Sequence, residues 1–514
     1  MLHFDFQNRR SAFMSKMGGG TAIFRAAPDA VMHNDVEYNF RQDSAFYYLT
    51  GFNETNAVAV FAPHHEEHKY ILFVQPKDRD KETWTGYRVG VDAAKEEYEA
   101  DIVYPIAELN EHLPKYLEKA DKLYYHFGID NSFNATVLRH YRQSIRQYDR
   151  KGTGPLSIED PMTVMNTLRL HKSEYELTLI RKAVEIATEA HNLALAKRRP
   201  GLYEYELQAE MEYLFRLRGG LGPAYPSIVA SGKNACILHY VENNRQMQDG
   251  ELLLIDAGCS YGYYNSDITR TYPVGNTFTE EQRILYELVL KAQLAAIEKI
   301  KPGNPWNEFH DVSVRTITEG LMNLGLISGD IEEVIKEEKY KPFFMHGTGH
   351  WLGLDVHDVG GRKVGDTWHT FAPNQVITAE PGIYIRSDFQ PLEGQPEVPD
   401  RWRGIGIRIE DVIKEEKYKP FFMHGTGHWL GLDVHDVGGR KVGETWHIFA
   451  PNQVITAEPG IYIRSDFQPL EGQPEVPDRW RGIGIRIEDD ILVTETGNEV
   501  LTAAIPKSVT AMER

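Results

Sequence analysis

Two aspartates lie in a stretch of sequence that is typical of a β-hairpin. Asp256 ends the apolar run Leu252–Ile255, and Asp267 follows it in ELLLIDAGCSYGYYNSDITRTYPV. If the hairpin turns at Tyr261-Gly262, the two aspartates lie directly opposite each other, with Cβ atoms roughly 4.5–5.5 Å apart. Two carboxylates at that distance repel each other, and a bound cation removes the repulsion. The alternative is a pair of solvated turn acids, which the apolar run before Asp256 disfavours.

A second motif places histidines among glycines. The sequence FFMHGTGHWLGLDVHD occurs twice, with its histidines at His346, His350 and His357 and again at His424, His428 and His435. Neighbouring glycines allow a metal or a substrate to approach an imidazole closely. The glycine pattern is GxGxxxG, which is not the dinucleotide-binding spacing, so a nucleotide loop is discarded.

Two further motifs carry glutamates, and each also occurs twice. ITAEPGIYI holds Glu380 and Glu458, and GIGIRIED holds Glu410 and Glu488. The second motif alternates as a strand does, so that Arg408 and Glu410 share the polar face. A simple salt bridge between those two side chains is the alternative interpretation.

Together these residue types predict a metal site. Two aspartates, a histidine and two glutamates form an oxygen-rich set that suits Mn²⁺, Co²⁺ or Zn²⁺. Carboxylates can bridge two metal ions about 3.5–4 Å apart, with a hydroxide between them as the nucleophile. No cysteine or serine constellation near these motifs competes for a covalent mechanism.

The elements that must position these residues fall into two predicted domains. In the first, the runs at 57–63 and 69–76 read as strands, helical stretches flank a break at Pro105, and Lys151–Pro155 is a predicted linker. Ser173 and Glu176 form a capping-box pattern that should open a long helix and a larger α/β domain. The predicted boundaries are 1–172 and 173–514.

Composition and charge exclude several classes of function. The 514 residues carry a formal net charge of −19, which argues against a nucleic-acid or anionic-membrane partner. We find neither an apolar run long enough for a transmembrane helix nor the apolar core of a secretory signal. The two cysteines, Cys236 and Cys259, are predicted to be buried rather than disulfide-bonded. We therefore expect a cytoplasmic protein.

A long internal repeat is the unusual feature of this chain. Residues 334–411 recur as 412–489, and the copies differ only at Asp366 against Glu444 and Thr370 against Ile448. Stacked repeat proteins use shorter units, and normally more than two of them. The repeat is therefore either a recent tandem duplication inside one domain or an error in the gene model.

The ordered motifs resemble a known family. IDAG, SDITRTYPV, HGTGHWLGLDVHD, AEPGIYI and GIGIRIEDDILVT resemble the creatinase/methionine-aminopeptidase superfamily, and ILHYVENN around His239 points within it to bacterial aminopeptidase P, also called Xaa-Pro aminopeptidase. The resemblance implies a C-terminal pita-bread α/β domain, in the α+β sense, and a smaller N-terminal α/β domain. It also implies a dinuclear site, usually with Mn²⁺, that releases the first residue of peptides with proline second.

The resemblance also implies a role for each motif residue. The metal ligands would be Asp256 and Asp267 with one residue from each of the pairs His350/His428, Glu380/Glu458 and Glu410/Glu488. Glu380 or Glu458 would also be the general base, and Arg408 or Arg486 would position the last carboxylate. His239 and one of His357/His435 would bind the substrate or stabilise its oxyanion. The family forms dimers or tetramers, in which a tryptophan matching Trp84 can close a neighbouring site; packing inside the chain is the alternative for Trp84.

The repeat supplies two sets of ligands for a single aspartate hairpin, so one complete centre per chain is expected. We favour Glu488 over Glu410, because only copy two continues into the final run DILVTETGNEVLT. Three functions follow for comparison: an Xaa-Pro aminopeptidase, a prolidase-type dipeptidase, and a non-catalytic pita-bread protein inactivated by the duplication.

Overall fold

The computed structural model describes most of the first 400 residues and separate strands beyond them. It describes residues 2–514 except 129, 345–346, 373, 380, 382, 386–390, 400–404, 408–440, 443–444, 447–453, 458–459, 464–482, 487–488, 494–497, 501–502, 506 and 509–514. The chain divides into two compact units, Met1–Leu168 and Arg169–Arg514.

The first unit is built on a six-stranded mixed sheet of order β6-β5-β4-β1-β7-β8, with a separate β2-β3 pair. Its strands are β1 Thr21–Arg25, β2 Val31–His33, β3 Val36–Glu37, β4 Val58–Phe61, β5 Tyr70–Val74, β6 Ile102–Pro105, β7 Leu123–Tyr125 and β8 Ile158–Glu159. The two predicted strands are confirmed as β4 and β5. Every residue of both is buried, as expected of strands that read as continuous apolar runs.

Helices complete the first unit. They are α1 Leu2–Met17, α2 Ser44–Thr50, α3 Arg79–Thr85, α4 Gly90–Glu97, α5 Leu109–Leu117 and α6 Asn131–Lys151. The break predicted at Pro105 is a whole strand, β6, between α4 and α5. The segment 151–155, predicted as a linker between domains, instead joins α6 to β8, which pairs with β7 in the sheet of the first unit.

The second unit begins within the last turn of α7 Met162–Leu170 and continues into the long helix that the sequence predicts. Its other helices are α8 Glu174–Lys197, α9 Glu204–Leu217, α10 Glu280–Lys299, α11 Asn307–Asn323 and α12 Ile331–Lys336. The predicted capping box is confirmed at the start of α8, where the Ser173 side chain accepts from the Glu176 amide and the Glu176 carboxylate accepts from the Ser173 amide.

Two small sheets follow α9 and carry the aspartates. Their orders are β10-β11-β14 and β13-β12-β9. The strands are β9 Gly222–Pro223, β10 Ile228–Ser231, β11 Leu252–Asp256, β12 Cys259–Tyr261, β13 Tyr264–Asn265 and β14 Thr269–Pro273. Both cysteines are buried and free, as predicted.

The two repeat copies form matching strands. Copy one contains β15 Lys363–Val364, β16 Thr367–Trp368, β17 Val376–Thr378, β18 Ile383–Ile385 and β19 Ile405–Ile407. Copy two contains β20 Lys441–Val442, β21 Thr445–Trp446, β22 Val454–Ala457, β23 Gly460–Ile463 and β24 Ile483–Arg486. The chain then forms β25 Asp489–Val493 and β26 Asn498–Val500. Between 405 and 499 only the strand backbones are described.

Strand β25 has equivalent strands of both copies as partners in one register. Leu492 is paired with Val376 of β17 and also with Val454 of β22, while β26 pairs with β25 as well. The pairing of β25 therefore does not distinguish copy one from copy two.

The remaining repeat strands show the same equivalence. Ile405 of β19 pairs with Ile385 inside copy one and with Ile463, the residue that matches Ile385, in copy two. Strands of the two copies are therefore interchangeable at the backbone level. Within the described part of the chain, no helix is both long and apolar enough to cross a membrane.

Candidate metal centre

The aspartate hairpin differs from the predicted one by a single residue at its turn. Tyr261 pairs with Tyr264, so the turn is Gly262-Tyr263, and both of its residues have positive φ (56° and 73°). Positive φ at both central positions defines a type I′ turn, which matches the right-handed twist of the strands. The predicted turn at Tyr261-Gly262 is therefore wrong.

The shifted turn changes the register of the two aspartates. Asp256 is opposite Thr269, and Asp267 lies two residues before Thr269 along the chain. Asp267 itself lies in the segment between β13 and β14, outside the paired residues of β11 and β14. The predicted direct opposition of the two aspartates is therefore wrong.

Both carboxylates are removed from solvent. Asp256 is 1% exposed and Asp267 0%, so the alternative of solvated turn acids is wrong. The Tyr225 hydroxyl donates to Asp267 Oδ1 over 2.5 Å. The strands approach so closely at Gly258 that a Cβ there would lie 1.7 Å from the Ser266 carbonyl oxygen. Only glycine permits this approach.

The first histidine motif is also buried. His350 is 2% exposed and His357 9%, and their rings meet edge to face with centroids 4.7 Å apart. His350 Nδ1 lies 3.0 Å from the Trp351 carbonyl oxygen, which can only accept, so Nδ1 carries a proton and donates this hydrogen bond. The His350 amide donates to Thr378 Oγ1 over 2.6 Å, and the Thr378 amide donates back to the His350 carbonyl over 2.8 Å. These two bonds hold the histidine against β17.

One contact joins the histidine loop to the aspartate hairpin. Asn265, two residues before Asp267, places its Nδ2 3.5 Å from the Leu354 carbonyl oxygen. Leu354 lies between His350 and His357 in the chain. The two motifs, which are about 90 residues apart in sequence, therefore meet in the second unit.

The structure does not describe the side chains of most other predicted site residues. His346, Glu380, Arg408, Glu410, His424, His428, His435, Glu458 and Glu488 lie outside the described residues, and Arg486 is described only as the last backbone position of β24. Among the residues that are described, no three His, Cys, Asp or Glu side chains form a metal-binding group. The described donors, two buried carboxylates and a buried imidazole, nevertheless have the chemistry that divalent ions of borderline hardness prefer.

His239 stands on a firmly held loop. Its own side chain is exposed. Its neighbour Tyr240 donates its hydroxyl to Glu204 Oε2 over 2.7 Å, and the fully buried Glu204 carboxylate also accepts from the amides of Ser231 and Arg245 over 2.6 and 2.9 Å. The backbone around His239 is therefore fixed while its imidazole remains accessible to a substrate.

A buried ionic cluster beside His357 was not predicted from the sequence. Arg169 and Lys172 bind Asp355 and Asp358, the acids that flank His357, and all four side chains are fully buried. Arg169 Nη2 lies 2.9 Å from Asp358 Oδ1, and Arg169 also pairs with Asp355 and Lys172 with Asp358. Burial lowers the pKa of Lys172 to about 8, against the opposing effect of Asp358. The sequence feature that could have indicated this cluster is the presence of two aspartates, Asp355 and Asp358, in the otherwise largely apolar run WLGLDVHD.

Two further side chains, one on α11 and one that follows the motif, contact the histidine motif of copy one. His310 Nδ1 lies 2.8 Å from Thr348 Oγ1, and Arg362 donates to the Gly349 carbonyl over 3.0 Å. Burial, with a contribution from Arg362, lowers the pKa of His310 to about 3, so this imidazole is neutral. The motif of copy one is thus seated by side chains that precede it and by its own Arg362.

Buried carboxylates and buried histidines within one α/β unit are typical of metal-dependent hydrolases. The profile of metallopeptidase family M24 matches residues 178–413 and 400–495, and that of the aminopeptidase P N-terminal domain matches residues 6–125. The chain therefore belongs to metallopeptidase family M24. Its second unit has the pita-bread fold, its first is the smaller N-terminal α/β unit, and the enzyme depends on divalent metal ions.

Individual relatives agree with this family. The chain is 41% identical over 412 residues to the Xaa-Pro aminopeptidase of Escherichia coli K12. This alignment covers 80% of this chain and 91% of the relative. The solved Pseudomonas aeruginosa aminopeptidase PepP superimposes with a TM-score of 0.79 at 38% identity, covering 99% and 97% of the two chains. A zinc-substituted E. coli aminopeptidase P in complex with product has the same TM-score at 35% identity, again over 99% and 97%.

Proposed function

We propose that this protein removes the N-terminal residue from peptides whose second residue is proline. The observation that carries the proposal is the 41% identity to an Xaa-Pro aminopeptidase over 80% of the chain, a span too long for the catalytic unit alone. The buried carboxylates Asp256 and Asp267 and the buried imidazole of His350 are donors of the kind that such a metallopeptidase needs.

The substrate class has a physical reason. An Xaa-Pro bond is a tertiary amide without an N–H, so proteases that recognise that donor act on it poorly. Polarisation of the carbonyl oxygen needs no such donor. Acidic ligands near the cleaved bond also favour a substrate with a free α-amino group, which explains removal of a single N-terminal residue.

The proposed ligands are Asp256, Asp267, His350, one of Glu380/Glu458, and Glu488 in preference to Glu410. For Glu488 the support is that β24, which ends two residues before it, lies against β11 and β14, the strands of the aspartate hairpin. We propose two ions and Mn²⁺ as their identity. The chemistry supplied by bound divalent ions is activation of water and polarisation of the scissile carbonyl.

The chain's own side chains would complete the reaction. Glu380 or Glu458 takes the proton from the attacking water and returns it to the leaving amine. His239, exposed on its fixed loop, and His357, beside His350, hold the substrate carbonyl as its oxygen becomes negative. Arg486 would orient the carboxylate of Glu488.

We also propose a homo-oligomer, a dimer or tetramer. Trp84 is 88% exposed on α3, so the packing alternative for this side chain is wrong within the chain. Covering an exposed tryptophan with a second subunit removes apolar surface from water, which is favourable. Light scattering of the purified protein measures the oligomer, and the KM of W84A tests whether the tryptophan closes a neighbouring site. Two free, buried cysteines support our proposal of a cytoplasmic enzyme.

The decisive experiment compares the full chain with a single-copy chain. Removing residues 412–489 joins Asp411 to Asp490 and restores the sequence GIGIRIEDDILV. Both proteins, with intact masses confirmed, are incubated with Mn²⁺ and either an Xaa-Pro-Xaa tripeptide or an Xaa-Pro dipeptide. Release of the first residue from the tripeptide by the full chain is the expected result.

Other outcomes separate the alternatives. Hydrolysis of the dipeptide alone would replace the aminopeptidase by a prolidase-type dipeptidase. An inactive full chain with an active single-copy chain would show that the duplication has inactivated the enzyme. Two inactive proteins that still bind two metal ions would point to another substrate.

A further inference from the structure

Two buried cations, Arg169 and Lys172, lie close together, and the chain has two repeat copies that could bind them. Arg169 lies in the last turn of α7 and Lys172 precedes α8, and both lie outside the repeat. They bind Asp355 and Asp358 of copy one in a cluster without solvent exposure. The matching acids of copy two are Asp433 and Asp436 in the identical sequence GLDVHD.

Charge balance allows only one copy to occupy this position. The cluster pairs two cations with two carboxylates, and a buried charge without its partner is strongly unfavourable. Arg169 binds both carboxylates, so it cannot serve a second copy at the same time. The copy that binds Arg169 and Lys172 therefore fixes its own histidine loop and excludes the other copy from that place.

Backbone hydrogen bonds connect copy one to a second segment outside the repeat. The Trp306 amide donates to the His369 carbonyl over 2.6 Å, and the Phe371 amide donates to the Asn304 carbonyl over 2.8 Å. The Gly303 amide donates to the Phe371 carbonyl over 2.8 Å. Residues 303–306 are also present once per chain, so they add to the preference for a single seated copy.

We infer that Arg169 and Lys172 are positioning residues that select copy one as the donor of the histidines. They fix the backbone on both sides of His357, so that His350 and His357, rather than His428 and His435, serve the catalytic site. Because β25 follows copy two, Glu488 would come from the other copy, and the site is assembled from both. This inference deepens the proposed function and rests on its assignment of a metal site.

The two differences between the copies make a direct test possible in the unaltered protein. Peptides that contain Asp366 and Thr370 differ in mass from those that contain Glu444 and Ile448, so hydrogen–deuterium exchange can be followed in each copy. The amides of His369 and Phe371 are hydrogen-bonded in copy one. We expect at least tenfold slower exchange for the peptide of copy one. Equal exchange, or slower exchange in copy two, would overturn the inference.

A matched pair of variants tests the selection itself. D433N/D436N removes the carboxylates of copy two and should keep kcat and the exchange pattern. D355N/D358N leaves Asp433 and Asp436 as the only acids that match Arg169 and Lys172, so copy two should become the protected copy.

The site should then depend on the other histidine. In the D355N/D358N background, H428A should lower kcat on the order of a hundredfold, whereas H350A should add little further loss. If H350A lowered kcat in that background and H428A did not, the cluster would stabilise the fold without selecting a copy.

These readouts separate failure of the inference from failure of the proposed function. Exchange does not require a substrate, so a protected copy one in a protein inactive on Xaa-Pro peptides would overturn only the function. An active enzyme with a protected copy two would overturn only the inference. If D355N/D358N does not fold, the exchange pattern of the unaltered chain still decides.

Discussion

The Tyr225 hydroxyl is the described group whose removal should most directly test the metal centre. It donates to Asp267 Oδ1 over 2.5 Å and accepts from the Ile268 amide over 3.3 Å. The substitution Y225F deletes this donor and keeps the ring. The buried Asp267 carboxylate then loses a bond that fixes the direction of its oxygens.

The size of the effect follows from the type of hydrogen bond. A hydrogen bond to a charged group contributes about 1.5–3 kcal/mol. At 1.4 kcal/mol for each factor of ten, this corresponds to a loss of roughly 10–150-fold. Groups that orient a metal ligand typically change metal affinity or activity by about 10–100-fold, which is the same range.

Metal titration is the appropriate assay. Metal-stripped Y225F and unaltered protein are titrated with Mn²⁺ by calorimetry, and kcat is measured at saturating metal. Y213F is a matched control, because Tyr213 lies on α9 with 65% of its surface exposed. If Y225F binds Mn²⁺ as tightly as the unaltered protein and keeps its kcat, Asp267 is not an oriented ligand and our assignment of the site fails.

Three further predictions concern the same unit. D267N should abolish metal binding whichever repeat copy is used, and two bound ions per chain in that variant, by elemental analysis, would place the site elsewhere. E204A removes the carboxylate that accepts from the Tyr240 hydroxyl and two backbone amides. It should lower the free energy of unfolding by about 3 kcal/mol, measured by urea denaturation. A loss below about 1 kcal/mol would contradict the proposed support of the His239 loop. The pKa of His310 is about 3 in the folded state, below its ordinary value of 6.5, so the unfolded chain binds the extra proton and stability is lost as the pH falls below about 6.5. H310N should therefore lose less stability than the unaltered protein between pH 7 and pH 5, and equal losses would show that His310 does not control this response.

Local patterns carried most of the correct predictions. Ser173 and Glu176 mark the start of α8, because a capping box requires only residues three apart. The burial of Asp256 was also predicted correctly, because the residue directly follows the apolar run Leu252–Ile255. The turn itself was misplaced because Tyr263, a residue that rarely takes positive φ, adopts it there.

Long-range contacts could not be predicted in this way. Arg169 and Asp355 are 186 residues apart, and no periodicity joins them. Choosing the copy that supplies the histidines was also impossible, because the two histidine motifs are identical in sequence. The information that distinguishes them lies in contacts with Arg169, Lys172 and His310, which the chain contains only once.

The pairing of β25 with equivalent strands of both copies has a consequence for how an enzyme of this family can gain a duplicated segment. Thr378 and Thr456 both pair with Asp490, and they precede it by 112 and 34 residues. Closing the longer loop instead of the shorter one costs about 1 kcal/mol in chain entropy, since this cost grows only with the logarithm of loop length. A duplication at this point therefore adds 78 residues at a small cost in loop-closure entropy. A copy that is not needed for a given contact is free to accumulate substitutions, and the two copies already differ at Asp366 against Glu444 and at Thr370 against Ile448.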